Sequence, residues 1–132
     1  MPYEITVDRE RGLIEIHVMG ETDPLEALEA RNRAALISAE LGCNKVAVYG
    51  QRLDKIQGFS PAILFNFATS FKDKPFPAGT KFAILTAGVS GAVNTLAKIA
   101  RDHGTRMQIF HDQNMAEDWL VGNLATAELE AF

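Results

Sequence analysis

One cysteine, Cys43, stands in a chain of 132 residues. An internal disulfide is therefore excluded, and so is a metal centre built from several thiolates. A single thiol suits a reducing compartment. Positive charge is not concentrated anywhere: 13 Lys and Arg face 17 Asp and Glu, a net charge of -4, and no basic run occurs. Neutralising phosphates takes a clustered cationic face, so nucleic acid is not an expected partner. Long apolar runs are missing too. PAILF at residues 61–65 is far too short to cross a bilayer. The opening MPYEITVDRE carries acids where a signal peptide needs an apolar segment. No membrane span is expected, and the expected location is the cytoplasm. The three histidines, His17, His103 and His111, show no metal-ligand spacing. Neither GxGxxG nor a Walker loop with its lysine occurs. No metal and no cofactor are expected.

What is present is the balance of a globular domain, with 47% apolar and 23% charged residues. The length fits a single domain over 1–132, and a chain of this size buries roughly two thirds of its unfolded surface. Tyr3, Ile5 and Val7 alternate with Glu4, Thr6 and Asp8, and Ile14, Ile16 and Val18 alternate with Glu15, His17 and Met19. This period of two predicts two half-buried strands, joined by a polar loop that ends in Gly12. Asp23 as cap, Pro24 at the first position and Glu26 predict a helix start. Leu25, Leu28, Ala35, Leu36 and Ala39 recur at helical spacing as its inward stripe, and Gly42 ends it.

KVAVY at 45–49 reads as a buried strand. Ser60-Pro61 opens a second, unusually apolar helix to about Phe71. KFAILT at 81–86 is a further buried strand, followed by a helix over 90–103 with Val89, Val93, Leu96, Ala97 and Ala100 inward. RMQIF at 106–110 is the last strand, and Asn114 with Glu117 predicts the cap of a final helix. The order ββαβαβαβα demands a mostly parallel, mixed α/β sheet that opens with an antiparallel hairpin.

Few residues suggest chemistry. The GxxG turn of Gly88 to Gly91, with Ser90 inside it, sits between a strand and a helix, where backbone N–H groups bind anions. A tight turn needs the same glycines. Asp54 is an acid without capping duty in the long loop after the third strand, and Gln51 and Phe59 flank it there. Ser60 reads first as a helix cap, and a phosphorylated or ligand-binding hydroxyl at a helix start remains open. Cys43 reads as a small buried hydrophobe. Phe59, Phe65, Phe67, Phe71 and Phe76 are more aromatics than one inward stripe needs, so a ligand or self-association surface is expected there.

The opening YEITVDRERGLIEIHVMGETD, with Gly20, Thr22 and Asp23 leading into the first helix, resembles the hairpin that begins SpoIIAA-like proteins of the STAS class, the anti-sigma-factor antagonist fold. The ending RMQIFHDQNMAEDWL is similar to that of small SpoIIAA-like proteins, with Phe110, Asp112, Ala116, Trp119 and Leu120 in matching places. The resemblance implies a SpoIIAA-like (STAS) fold and a non-enzymatic binding or regulatory role. It implies as partner a protein or an apolar small ligand held between the second helix and the sheet. It also places Ser60 where the antagonists carry their phosphorylated serine, although Gly58 and Phe59 precede it here. Gln51, Asp54, Phe59, Ser60, Gly88 and Ser90 are the expected binding residues, and a homodimer is the expected assembly. The rival expectation is a small-molecule or anion-binding, potentially enzymatic α/β domain. It would use the carboxyl ends of the strands, with Asp54, Ser90, His111 and Asp112 converging.

Overall fold

The computed structural model describes residues 3–50, 58–87 and 91–122. Its five strands, β1 (Tyr3–Asp8), β2 (Leu13–Val18), β3 (Lys45–Gly50), β4 (Lys81–Thr86) and β5 (Arg106–Phe110), lie side by side in chain order. β1 and β2 pair antiparallel, and the other neighbours pair parallel. The expected mixed α/β sheet with an opening hairpin is what the chain forms. The hairpin closes on Gly12, whose φ of 63° needs glycine's freedom. There Arg11 Nε donates to Asp8 Oδ2 at 2.7 Å, and this bond holds the exposed Asp8 carboxyl below its ordinary pKa.

A sheet that grows in one direction through crossovers of one hand must put every crossover helix on one face. α1 (Pro24–Leu41), α2 (Pro61–Thr69) and α3 (Gly91–Asp102) accordingly share a core with Ile14, Ile16, Val46, Phe82, Ile84 and Met107. The opposite face is left to α4 (Gln113–Leu120), which covers Leu13, Ala47, Ala83 and Phe110 with Ala116, Trp119 and Leu120. Burial on both faces is why β3 and β4 read as continuous apolar runs.

Of the expected stripe of α1 only Ala35 is buried. Leu25 is 74% exposed and Leu36 65% exposed, and Ala39 is exposed as well. The buried residues are Ala30, Arg31, Ala34, Ala35 and Ser38. These also recur at helical spacing, and alanine lets a helix approach a sheet closely. Leucine's greater hydrophobicity pointed to the wrong face.

Helix ends moved for local reasons. α1 starts as expected, with Glu26 N donating to Asp23 Oδ1 at 2.9 Å. α2 stops at Thr69 and tightens into a 3-10 turn over Ser70–Asp73, because Pro75 forces Lys74 into extended backbone. Phe71, expected at the surface, is buried in the core. α4 begins earlier than the Asn114 cap predicts. The Asp112 carboxylate takes the N–H groups of Asn114 and Met115 at 2.8 and 3.2 Å, while Glu117 pairs with the side chains of Gln113 and Arg11.

Trp119 anchors α4. Its side chain is fully buried, tilted against Phe110 with ring centroids 5.6 Å apart. Lys81 Nζ lies 5.2 Å from its ring centroid and donates to its carbonyl at 2.8 Å, and burial lowers the Lys81 pKa. Trp119→Ala should cost about 3–5 kcal/mol in a urea unfolding titration, because one short helix carries the second layer.

Candidate functional site

Between the sheet and its three-helix layer lies a cavity of about 120 Å³. It exists because α1 presents Ala27, Ala30 and Ala34 to it. These positions recur at i, i+3 and i+7 on one side of the helix, and a methyl group reaches no farther than its own Cβ. The floor is formed by Ile16, Val18, Val46 and Val48, which belong to β2 and β3.

Aromatic rings make the far wall. Phe59 meets Phe67 edge-on at 6.2 Å, Phe67 meets Phe71 at 5.2 Å, and Phe71 meets Phe82 at 5.1 Å. Phe76 packs on Phe82 at 4.8 Å from the other side. This is the edge-to-face geometry that ring quadrupoles favour, and it gives the cavity a stiff side. Phe59 is the expected binding residue that the structure places on this wall. It is held there by the turn at Gly58, whose φ is 78° and where an added Cβ would stand 3.2 Å from Pro24 Cδ.

Two charged side chains interrupt the apolar lining. Arg31 is 4% exposed. Its Nη1 donates to the Phe67 carbonyl at 3.1 Å and to Ser70 Oγ at 2.5 Å. Its guanidinium carbon lies 4.8 and 5.1 Å from the Phe67 and Phe71 ring centroids. No carboxylate stands within ion-pair distance of it among the described residues, and burial lowers its pKa. Glu26 projects from the first turn of α1, and its Oε2 is buried with no hydrogen-bond partner among the described residues. Neither residue was expected at the site. The signal was present, because Arg31 follows Ala27 by four positions and Ala30 by one, but the leucine stripe obscured that face.

The remaining expected residues divide. Ser60 Oγ accepts from Ile63 N at 3.2 Å and caps α2 with Pro61 at the first helical position. Gln51, Asp54, Gly88 and Ser90 lie outside the described residues, as does Val89. Of the rival cluster, His111 Nδ1 donates to the Thr86 carbonyl at 2.8 Å and Asp112 caps α4. Both are committed to backbone groups. Cys43 is buried in the core, and Ser38 Oγ donates to its carbonyl.

On the opposite face, His17 stacks on Tyr49 with centroids 5.1 Å apart and Nε2 3.1 Å from Glu15 Oε2. Burial, followed by Glu15 and Glu117, raises the Tyr49 pKa. Among the described residues no group of acids, histidines and cysteine is arranged to hold a metal ion, and no helix is long and apolar enough to cross a membrane.

No protein-family model matches the chain, and no curated protein matches it. Among solved structures, the chain is similar to an uncharacterised protein of the DUF3478 family from Shewanella loihica PV-4, described as having a SpoIIAA-like fold. The identity is 16%, over 89% of this chain and 91% of that one, with a TM-score of 0.51. The likeness establishes the fold that the hairpin and the Trp119 helix suggested.

Two substitutions test this account by denaturant unfolding. Ser60→Ala should cost about 1 kcal/mol, the loss of a helix cap. Arg31→Ala should cost about 2–4 kcal/mol, because it leaves a void and removes the donor shared by the Phe67 carbonyl and the Ser70 hydroxyl, which keep only their bond to each other at 3.0 Å.

Proposed function

From the SpoIIAA-like fold that this chain adopts, we propose a non-enzymatic binding domain of the cytoplasm that takes an apolar small ligand into the cavity between sheet and helices. The observation that carries this reading is the cavity of about 120 Å³, held open by alanines under a wall of interlocked phenylalanines. A preformed apolar pocket of this kind is the usual seat of a small ligand. A dry cavity of about 150 Å³ accepts benzene or xenon, so the buried part of the ligand is about the size of one ring or a short alkyl chain.

Toluene titrated into the protein should raise its melting temperature by mass action and shift the methyl resonances of Val46 and Val48. Ala30→Leu, which fills the space from α1, should remove both effects while keeping the fold. Absence of either effect in the wild-type protein sinks the reading.

A second reading rests on a different observation. The outer surfaces of α1 and α2 expose Leu25, Leu36 and Ile63, and Phe65 is 47% exposed. A shallow groove between the helices is lined by Pro24, Leu28, Ile63 and Phe67, with Asn66 and Ser70 as its polar members. An apolar surface of this kind fits a protein contact, and self-association of two copies is the simplest form. Sedimentation velocity should then show a concentration-dependent dimer that Leu28→Glu disperses. A monomer at all concentrations excludes the dimer.

A further inference from the structure

We infer that the cavity selects a ligand carrying a hydrogen-bond donor, an ammonium group above all, which Glu26 receives. This rests on the cavity being the ligand site. Glu26 lines it and has a buried carboxylate oxygen with no partner among the described residues. Glu26 as a whole is half-buried, but a buried acceptor left unmade costs more than a bond contributes when made. Such an atom beside an apolar space marks where a donor belongs. The site thus matches a small amphiphile, with an aromatic or short alkyl body against Val46, Val48 and the phenylalanine wall and its head at the first turn of α1.

The other charged residue of the lining does not compete for that role. Nη1 of Arg31 is committed to the Phe67 carbonyl and Ser70 Oγ. Its Nε and Nη2 both reach Asn32 Oδ1 at 3.4 Å, and the Phe67 and Phe71 rings flank its plane. An anionic head would have to displace these bonds, whereas a donor head at Glu26 displaces none. The commitments of the two residues decide the sign of the head group. The carboxylate supplies the acceptor, the ligand supplies the donor, and no covalent step is involved.

The test compares three probes of nearly one shape, benzylamine, toluene and benzoate, by titration calorimetry on the whole chain. The wild-type protein should bind benzylamine at least tenfold more tightly than toluene or benzoate. In Glu26→Gln that preference should fall to about threefold or less, with toluene affinity within about twofold of wild type. Glu26→Ala should lose the preference likewise, which separates lost charge from an altered fold, and unchanged toluene binding reports an intact cavity. If benzoate binds best, or if the benzylamine preference survives both substitutions, the inference is overturned while the cavity reading stands. If none of the three binds the wild-type protein, both fall together.

Discussion

The Arg31 guanidinium lies between α1 and the end of α2 with its charge buried and no carboxylate beside it among the described residues. It is tolerated there because it meets groups that welcome a cation without being acids. The Phe67 carbonyl belongs to the last turn of α2, where the helix dipole is negative. The faces of Phe67 and Phe71 add the attraction of aromatic rings for a cation. A planar fork of donors suits this arrangement in a way that the point charge of lysine would not. The same contacts orient the two rings whose edges form the cavity wall. An apolar residue would avoid the cost of burying charge, but it would leave α2 free to close on the alanines of α1. Arg31 thus ties α1 to the end of α2 along one side of the cavity.

The layers follow from strand order. Strands added one after another in a single direction commit α1, α2 and α3 to one face and leave the other to α4. The three-helix face has enough material for a thick layer and room for a space within it. The single-helix face has none to spare, so Trp119, its largest buried side chain, fills the contact completely. Lys81 fixes the end of α4 by its bond to the Trp119 carbonyl, and the partially covered strands carry the stacked His17 and Tyr49 beside it. The cavity therefore lies on the three-helix face.

Much of this fold was legible in the sequence. Strict alternation in β1 and β2, the apolar runs of β3 and β4, the Asp23-Pro24 start and Gly42 all act through neighbours a few residues away, and each signals its own element. The starts of α2 and α4 were near-readable for the same reason. The site was not legible, because a cavity is defined by what side chains fail to fill across distant elements. Ala27, Ala30 and Ala34 look unremarkable beside Leu25, Leu28 and Leu36, and hydrophobicity alone ranks the leucines first. Only the closeness of helix to sheet reverses that order. Arg31 does not stand out, because charged residues on a helix ordinarily face water, and Glu26 reads first as part of the helix start. Ser60 was readable because a cap is a local device, and Phe59 because an aromatic beside a helix start has few places to go.

The polar groups around the helical layer show how the fold uses what it has. Asp23, Ser60 and Asp112 cap helices. Arg31, Lys81 and His111 each bind a carbonyl. The Tyr3 hydroxyl donates a hydrogen bond to Glu29 Oε1 and accepts one from Arg33 Nη1. These groups hold elements together. Glu26 departs from the pattern: its backbone N–H serves the cap, yet one oxygen of its carboxylate is buried and unbonded among the described residues. Two buried side-chain oxygens lack a partner among the described residues, Thr86 Oγ1 and Glu26 Oε2, and the second lies on the lining of the apolar space beside the alanines of α1. The void and the unmade bond share a location, and a ligand with an apolar body and a donor head would resolve both at once.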